Sequence, residues 1–131
     1  MKKLVVHLVN GEIVKGYSSN FAPLKPSFHL KLIGEGPVCI EKIFLDKLKA
    51  VFFVNSFMGD SSTIDSHDFT QAPVSGKHLV VHFYDDEKFY GVSETVHSDR
   101  AGFFLNPIDP NSNIKRAFVI NSFIEKIQFI D

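Results

Sequence analysis

Apolar and polar positions alternate from the start of the chain. Leu4, Val6 and Leu8 fall on one side and Val5, His7 and Val9 on the other, the period of a strand with two unlike faces. Asn10-Gly11 follows, a pair suited to the positive φ angles of a two-residue type I′ turn, and residues 13–17 return as the partner strand. Residues 28–33, 38–44 and 50–54 supply three more strands. The succession recurs from His78. Asp85-Asp86 takes the turn before a strand at 88–92, and residues 103–106, 116–120 and 126–130 complete the set. Residues 45–49 and 121–125 read as single tight turns. No stretch sustains a 3.6-residue period over three turns, so the chain is expected to be all-β.

Two copies of one pattern account for this regularity. A displacement of 75 positions pairs residues 3–16 with 78–91, and six of these 14 pairs are identical: Leu4/Leu79, Val5/Val80, Val6/Val81, His7/His82, Glu12/Glu87 and Gly16/Gly91. Average residue frequencies would give about one. The same displacement lays residues 27–30 over 102–105, and one of 76 lays 43–54 over 119–130, so one loop residue separates the two registers. The expected organisation is a first unit at 1–55, a linker at 56–76 rich in Asp, Ser, Pro and Gly, and a second unit at 77–131. Phe57, Met58, Ile64 and Phe69 interrupt the linker and predict that it packs against the units. Five short strands in each copy favour a small closed or nearly closed barrel, because closure removes the exposed edges of a flat sheet.

Composition narrows the possibilities. With 131 residues, 44% apolar and 22% charged, the chain can form a core but is too short for a large multidomain enzyme. A net charge of -1 supplies no global attraction to nucleic acid or an anionic membrane. The single cysteine, Cys39, excludes an intramolecular disulfide and a thiolate cage and fits a reducing compartment; its apolar setting predicts a buried structural thiol. The apolar run from Leu4 is broken by His7, and no stretch approaches the roughly 20 residues of a membrane span. A soluble cytoplasmic protein is expected.

Residues 6–11, Val-His-Leu-Val-Asn-Gly, followed by Gly16, resemble the first motif of the Sm-like family, in which an apolar strand, an Asn/Asp-Gly turn and a second glycine bend the sheet into a barrel. Residues 28–32 are similar to that motif's third strand, and 120–127 to its closing strand, turn and strand. The whole chain resembles a bacterial family of duplicated Sm-like domains, whose relatives sit beside signalling modules and for which no activity is established. The resemblance implies two tandem Sm-like (SH3-like) five-stranded barrels related by internal duplication. In Sm-like proteins RNA is held by an Asp and Asn around the third strand and an Arg-Gly or Lys-His pair at the closing turn. Here His29 and Phe104 take the Asn position, and Leu45-Asp46 and Asn121-Ser122 take the pair. The phosphate-facing cation is missing twice, which disfavours RNA binding of the usual kind.

Charge is nonetheless uneven. Residues 1–54 hold eight lysines against four acids, a net +4, whereas residues 78–131 carry a net -3. Lys25, Lys31, Lys42, Lys47 and Lys49 could attract phosphate, with Phe21 and Phe28 as stacking faces. The candidate nucleic-acid or partner contacts are Lys25, Phe28, His29, Lys31 and Lys47; the alternative is a solvated basic face or one side of a self-complementary interface. His7 and His82 occupy equivalent strand positions and read as partly buried strand histidines rather than a metal site. Residues 109–113 begin like a calcium loop, but Ile114 and Ile120 stand where it needs Gly and Glu, so an Asx-rich turn is expected. Ser66-His67-Asp68 is contiguous, unlike a triad assembled in space, and reads as linker polarity.

No catalytic set, cofactor site or metal site is expected. The leading expectation is a non-enzymatic binding or scaffold protein that self-associates through its barrel edge strands as a trimer or dimer and serves a protein partner, with bacterial signalling as the setting that the resemblance suggests. The alternative is an RNA-binding Sm-like protein with non-standard contacts.

Overall fold

The computed structural model describes residues 1–57, 76–94, 96, 99–109 and 111–130. The described residues form strands β1 (Lys2–Leu8), β2 (Ile13–Ser18), β3 (Ser27–Leu32), β4 (Ile40–Phe44), β5 (Leu48–Val54), β6 (Lys77–Phe83), β7 (Lys88–Ser93), β8 (Gly102–Pro107), β9 (Ile114–Ile120) and β10 (Ile124–Ile130). Single 3-10 turns, Leu45–Lys47 and Asn121–Phe123, precede β5 and β10. The protein is all-β, and no helix among the described residues is long and apolar enough to cross a membrane. Residues 58–75, which hold most of the expected linker and Ser66-His67-Asp68, lie outside the described residues.

The strands form one open, antiparallel, ten-stranded sheet in the order β10-β6-β7-β8-β9-β5-β1-β2-β3-β4. Each half therefore runs fifth, first, second, third, fourth. Separate five-stranded barrels are corrected by this arrangement: neither half pairs its fourth strand with its own fifth. β9 instead pairs with β5, from Ala50 opposite Val119 to Val54 opposite Ile114. Sharing the edge in this way satisfies two rows of backbone groups that would otherwise face outward.

The seam explains the composition of its strands. Successive side chains point to opposite faces of a strand. Val51 and Phe53 enter the first half's core with Leu4, Phe28 and Leu30, together with Phe118 and Ile120 from the second half. Ala50, Phe52 and Val54 enter the second half's core with Leu79, Phe103 and Leu105. The two cores thus lie on opposite faces of the central strands, and every residue of β5 is buried. A strand covered on both faces reads as a continuous apolar run rather than an alternation. Phe52 and Phe118 each serve the core of the half that does not supply them, where a buried Phe contributes about 1.5–3 kcal/mol.

The hairpin turns differ from the expected two-residue type I′. The Gly11 N–H donates to Leu8 O at 3.1 Å and the Leu8 N–H to Glu12 O at 2.9 Å, enclosing three residues. Gly11 alone carries the positive φ, +93°. This is a type I turn followed by one left-handed residue. The second half repeats it over Phe83–Glu87 with Asp86 at φ +70°. At Gly16 the constraint is space: a Cβ there would lie 2.8 Å from Leu30 Cγ and closer still to the Lys31 carbonyl, because β2 crosses β3 tightly at this point.

Candidate binding surfaces at the seam and the edges

The five candidate contacts do not converge. Phe28 is 1% exposed and its ring meets Phe21 edge-on at 5.1 Å, so it supports the core and offers no face to a base. His29 is exposed on β3, its backbone N–H donating to Asn20 Oδ1 at 3.0 Å and its Nδ1 lying 3.1 Å from Asn20 Nδ2. Lys31 is half-buried, opposite Tyr17 and Ile40. Lys47 is exposed in its 3-10 turn, and its carbonyl accepts the Val9 N–H. Lys25 is exposed and lines a cleft of about 750 Å³ between turns of the two halves, with Leu24, Phe44, Asp46, Asp99 and Arg100. Its two cations and two carboxylates leave that cleft without a net pull on phosphate.

Lys49 corrects the reading of a surface cation. It is the extra residue of a bulge in β5, passed over between Leu48 opposite Leu8 and Ala50 opposite His7. The bulge turns its side chain toward the turn between β6 and β7, and the residue is 4% exposed. Its ammonium forms salt bridges to Asp85, at 2.8 Å, and to Glu87, and lies 4.8 Å from the centre of the Phe83 ring. Burial pushes the Asp85 carboxyl up, but the hydrogen bonds from Lys49 and from the Glu87 N–H, together with the Lys49 charge, outweigh it and hold the pKa below its ordinary value. His7 sits in the same corner, edge-on to Phe52 at 4.8 Å, its buried Nε2 bonded to no described residue. Burial, then repulsion from Lys49, lowers its pKa from 6.5 to about 4. His82, its counterpart, instead lies with Nε2 3.2 Å from Gln128 Oε1.

Cys39 is exposed rather than buried, because the residues before edge strand β4 run over the surface. The Asn111 N–H donates to Asp109 Oδ1 at 2.9 Å, the hydrogen bond of the expected Asx-rich turn, of which residue 110 lies outside the described residues. The Asn113 side chain also ties this turn to the Ser56 backbone, its Oδ1 accepting the Ser56 N–H at 3.0 Å and its Nδ2 donating to the Ser56 carbonyl at 2.9 Å.

Over residues 1–131 the chain matches a family of unknown function, DUF6982. It belongs to that family. No curated protein and no solved structure matches it.

Two surfaces of this DUF6982 chain escaped the sequence reading. The first is the contrast between the edges. The seam strands bury Ala50, Phe52, Ala117 and Phe118, whereas the free edge strands β4 and β10 expose Glu41 and Lys42, and Glu125, Lys126 and Gln128, at the corresponding positions or beside them. Ile40 and Phe129 remain 62% and 53% exposed. The second is a basic corner where Lys2, Lys3, Lys115 and Arg116 meet around Phe53. Lys2-Lys3 and Lys115-Arg116 are visible as pairs in the sequence, but only the β5–β9 pairing brings them together.

Proposed function

We propose that this chain is a non-enzymatic scaffold of two Sm-like units that self-associates head-to-tail, β10 of one copy pairing with β4 of the next. The observation that carries this reading is the seam itself. A fifth strand already pairs there with the other half's fourth strand, and among the described residues the same two strand positions, β10 and β4, form the ends of the sheet. Repeating the seam's register would set Phe129 opposite Ile40 and Gln128 opposite Glu41, with Lys126 diagonal to Glu41 and Glu125 diagonal to Lys42. Apolar and opposite-charge pairs of this kind each contribute about 0.2–1 kcal/mol. Three chains would give a ring of six units, and two the smaller assembly; a protein partner would bind the assembled scaffold, in a cytoplasmic signalling setting.

Two one-sided variants test the direction of assembly. Ile40→Asp blocks β4 and Phe129→Asp blocks β10, so each alone should remain monomeric in size-exclusion chromatography. Mixed, they should form a one-to-one dimer through the intact edges. Retention of the full assembly by either variant would contradict edge pairing. RNA binding is the weaker reading, because Phe28 is buried, Lys49 is paired and the turn-side cleft is charge-balanced.

A further inference from the structure

A cleft of about 390 Å³ opens where β1 begins, β5 ends and β9 begins. Leu4 lies opposite Phe53 on one side and Phe53 opposite Arg116 on the other, so the pairing itself draws Lys2, Lys3, Lys115 and Arg116 around one space. No described carboxylate lines it, and the salt bridges among the described residues are those of Lys49. The Arg116 guanidinium lies over two neighbouring rings, 4.8 Å from the centre of Phe53 and 4.1 Å from that of Phe104. Lys2 Nζ lies 5.6 Å from the Phe53 centre, and Lys3 Nζ donates to the Asn55 carbonyl at 3.2 Å. Contact with both rings restricts the arginine side chain before any ligand arrives, which lowers the entropy lost on binding.

Four clustered cations without an acid repel one another, and a multivalent anion reverses that repulsion. The corner belongs to the seam alone. At the free edges Lys77 lies over Phe129 as Lys2 lies over Phe53, but Ile40 stands where β9 has Arg116 and Cys39 where it has Lys115.

We propose that this corner binds a compact polyphosphate, the di- or triphosphate group of a small molecule or the free inorganic chain. Its volume falls in the range of small-molecule sites, roughly 300–1,000 Å³. A nucleic-acid strand is disfavoured because binding of single strands relies on open aromatic faces; Phe53 is 4% exposed and Arg116 covers both rings. The site lies within one chain and does not depend on self-association.

Isothermal titration of the full chain with inorganic tripolyphosphate, in parallel with a nucleoside triphosphate, tests this. The expected result is one saturable site per chain for either probe, weakening as salt is raised. Lys2→Gln with Lys115→Gln, both exposed, should reduce affinity at least tenfold with thermal unfolding unchanged. Lys42→Gln with Lys47→Gln, an equal charge loss elsewhere, should leave it intact, and Arg116→Lys should weaken it although the charge is kept. No saturable binding at low salt, an equal loss in the control pair, or tighter binding of a short single-stranded RNA with the same sensitivity would overturn the proposal.

Discussion

Lys49 is the residue on which the seam's electrostatics turn. Its ammonium is buried whereas its partners are not, Asp85 and Glu87 being 37% and 68% exposed at the side chain, so the two ways of breaking the cluster are unequal. Asp85→Asn with Glu87→Gln strands a buried charge and should cost about 1–3 kcal/mol in denaturant unfolding. Lys49→Met removes the charge, fills the space and should cost less; the reverse order would contradict the account. His7 beside it makes the fold acid-sensitive. The unfolded chain takes up a proton near pH 6.5 and the folded chain only near 4, so His7's contribution to stability is complete above 6.5 and is lost as pH falls toward 4. Asp85, with its depressed pKa, acts in the same direction below its ordinary value. His7→Leu should flatten the melting temperature between pH 6.5 and 4, and an unchanged slope would exclude His7 as the cause. At the turns, Asp86→Gly relieves a left-handed Asp and should stabilise by about 0.5–1 kcal/mol. Gly16→Val collides with Leu30 and the Lys31 carbonyl and should cost more than the roughly 1 kcal/mol of a propensity change.

At the scale of the elements, the strands and the 3-10 turns were legible because each half must bury one face, and that requirement writes period-two alternation and tight-turn residues into the chain. Their spacing was legible too: β1, β2 and β3 stand 75 residues before β6, β7 and β8, and β5 stands 76 before β10. The β5–β9 partnership was not. Ala50-Val51-Phe52-Phe53-Val54 names no partner, since a run apolar on both faces suits a strand covered from both sides by any neighbour. The basic corner and the burial of Lys49 both follow from that pairing, so neither was readable before it. Exposed Cys39 was misread for a related reason: an apolar neighbourhood in sequence says little about an edge. Because Phe52 and Phe118 fill each other's halves, the halves should not unfold separately. Phe118→Ala should cost about 3–5 kcal/mol and leave a single transition by circular dichroism and tyrosine fluorescence alike. Two resolved transitions would show that the halves are independent.

At the scale of the whole molecule, the sheet ends in two unlike edges, β10 and β4, and charge is uneven, +4 in residues 1–54 and -3 in residues 78–131. Head-to-tail contact sets the basic half of one copy against the acidic half of the next and favours that direction over like-with-like contact. Raising salt should therefore weaken association, with the apolar Phe129 and Ile40 retaining part of it. The measurement that bears most directly on the scaffold is the solution mass of the unmodified chain by light scattering at micromolar concentration and ordinary salt. The account predicts an assembly of three chains of 14.8 kDa, with two as the smaller closed form. A single species of 14.8 kDa across that range would contradict it.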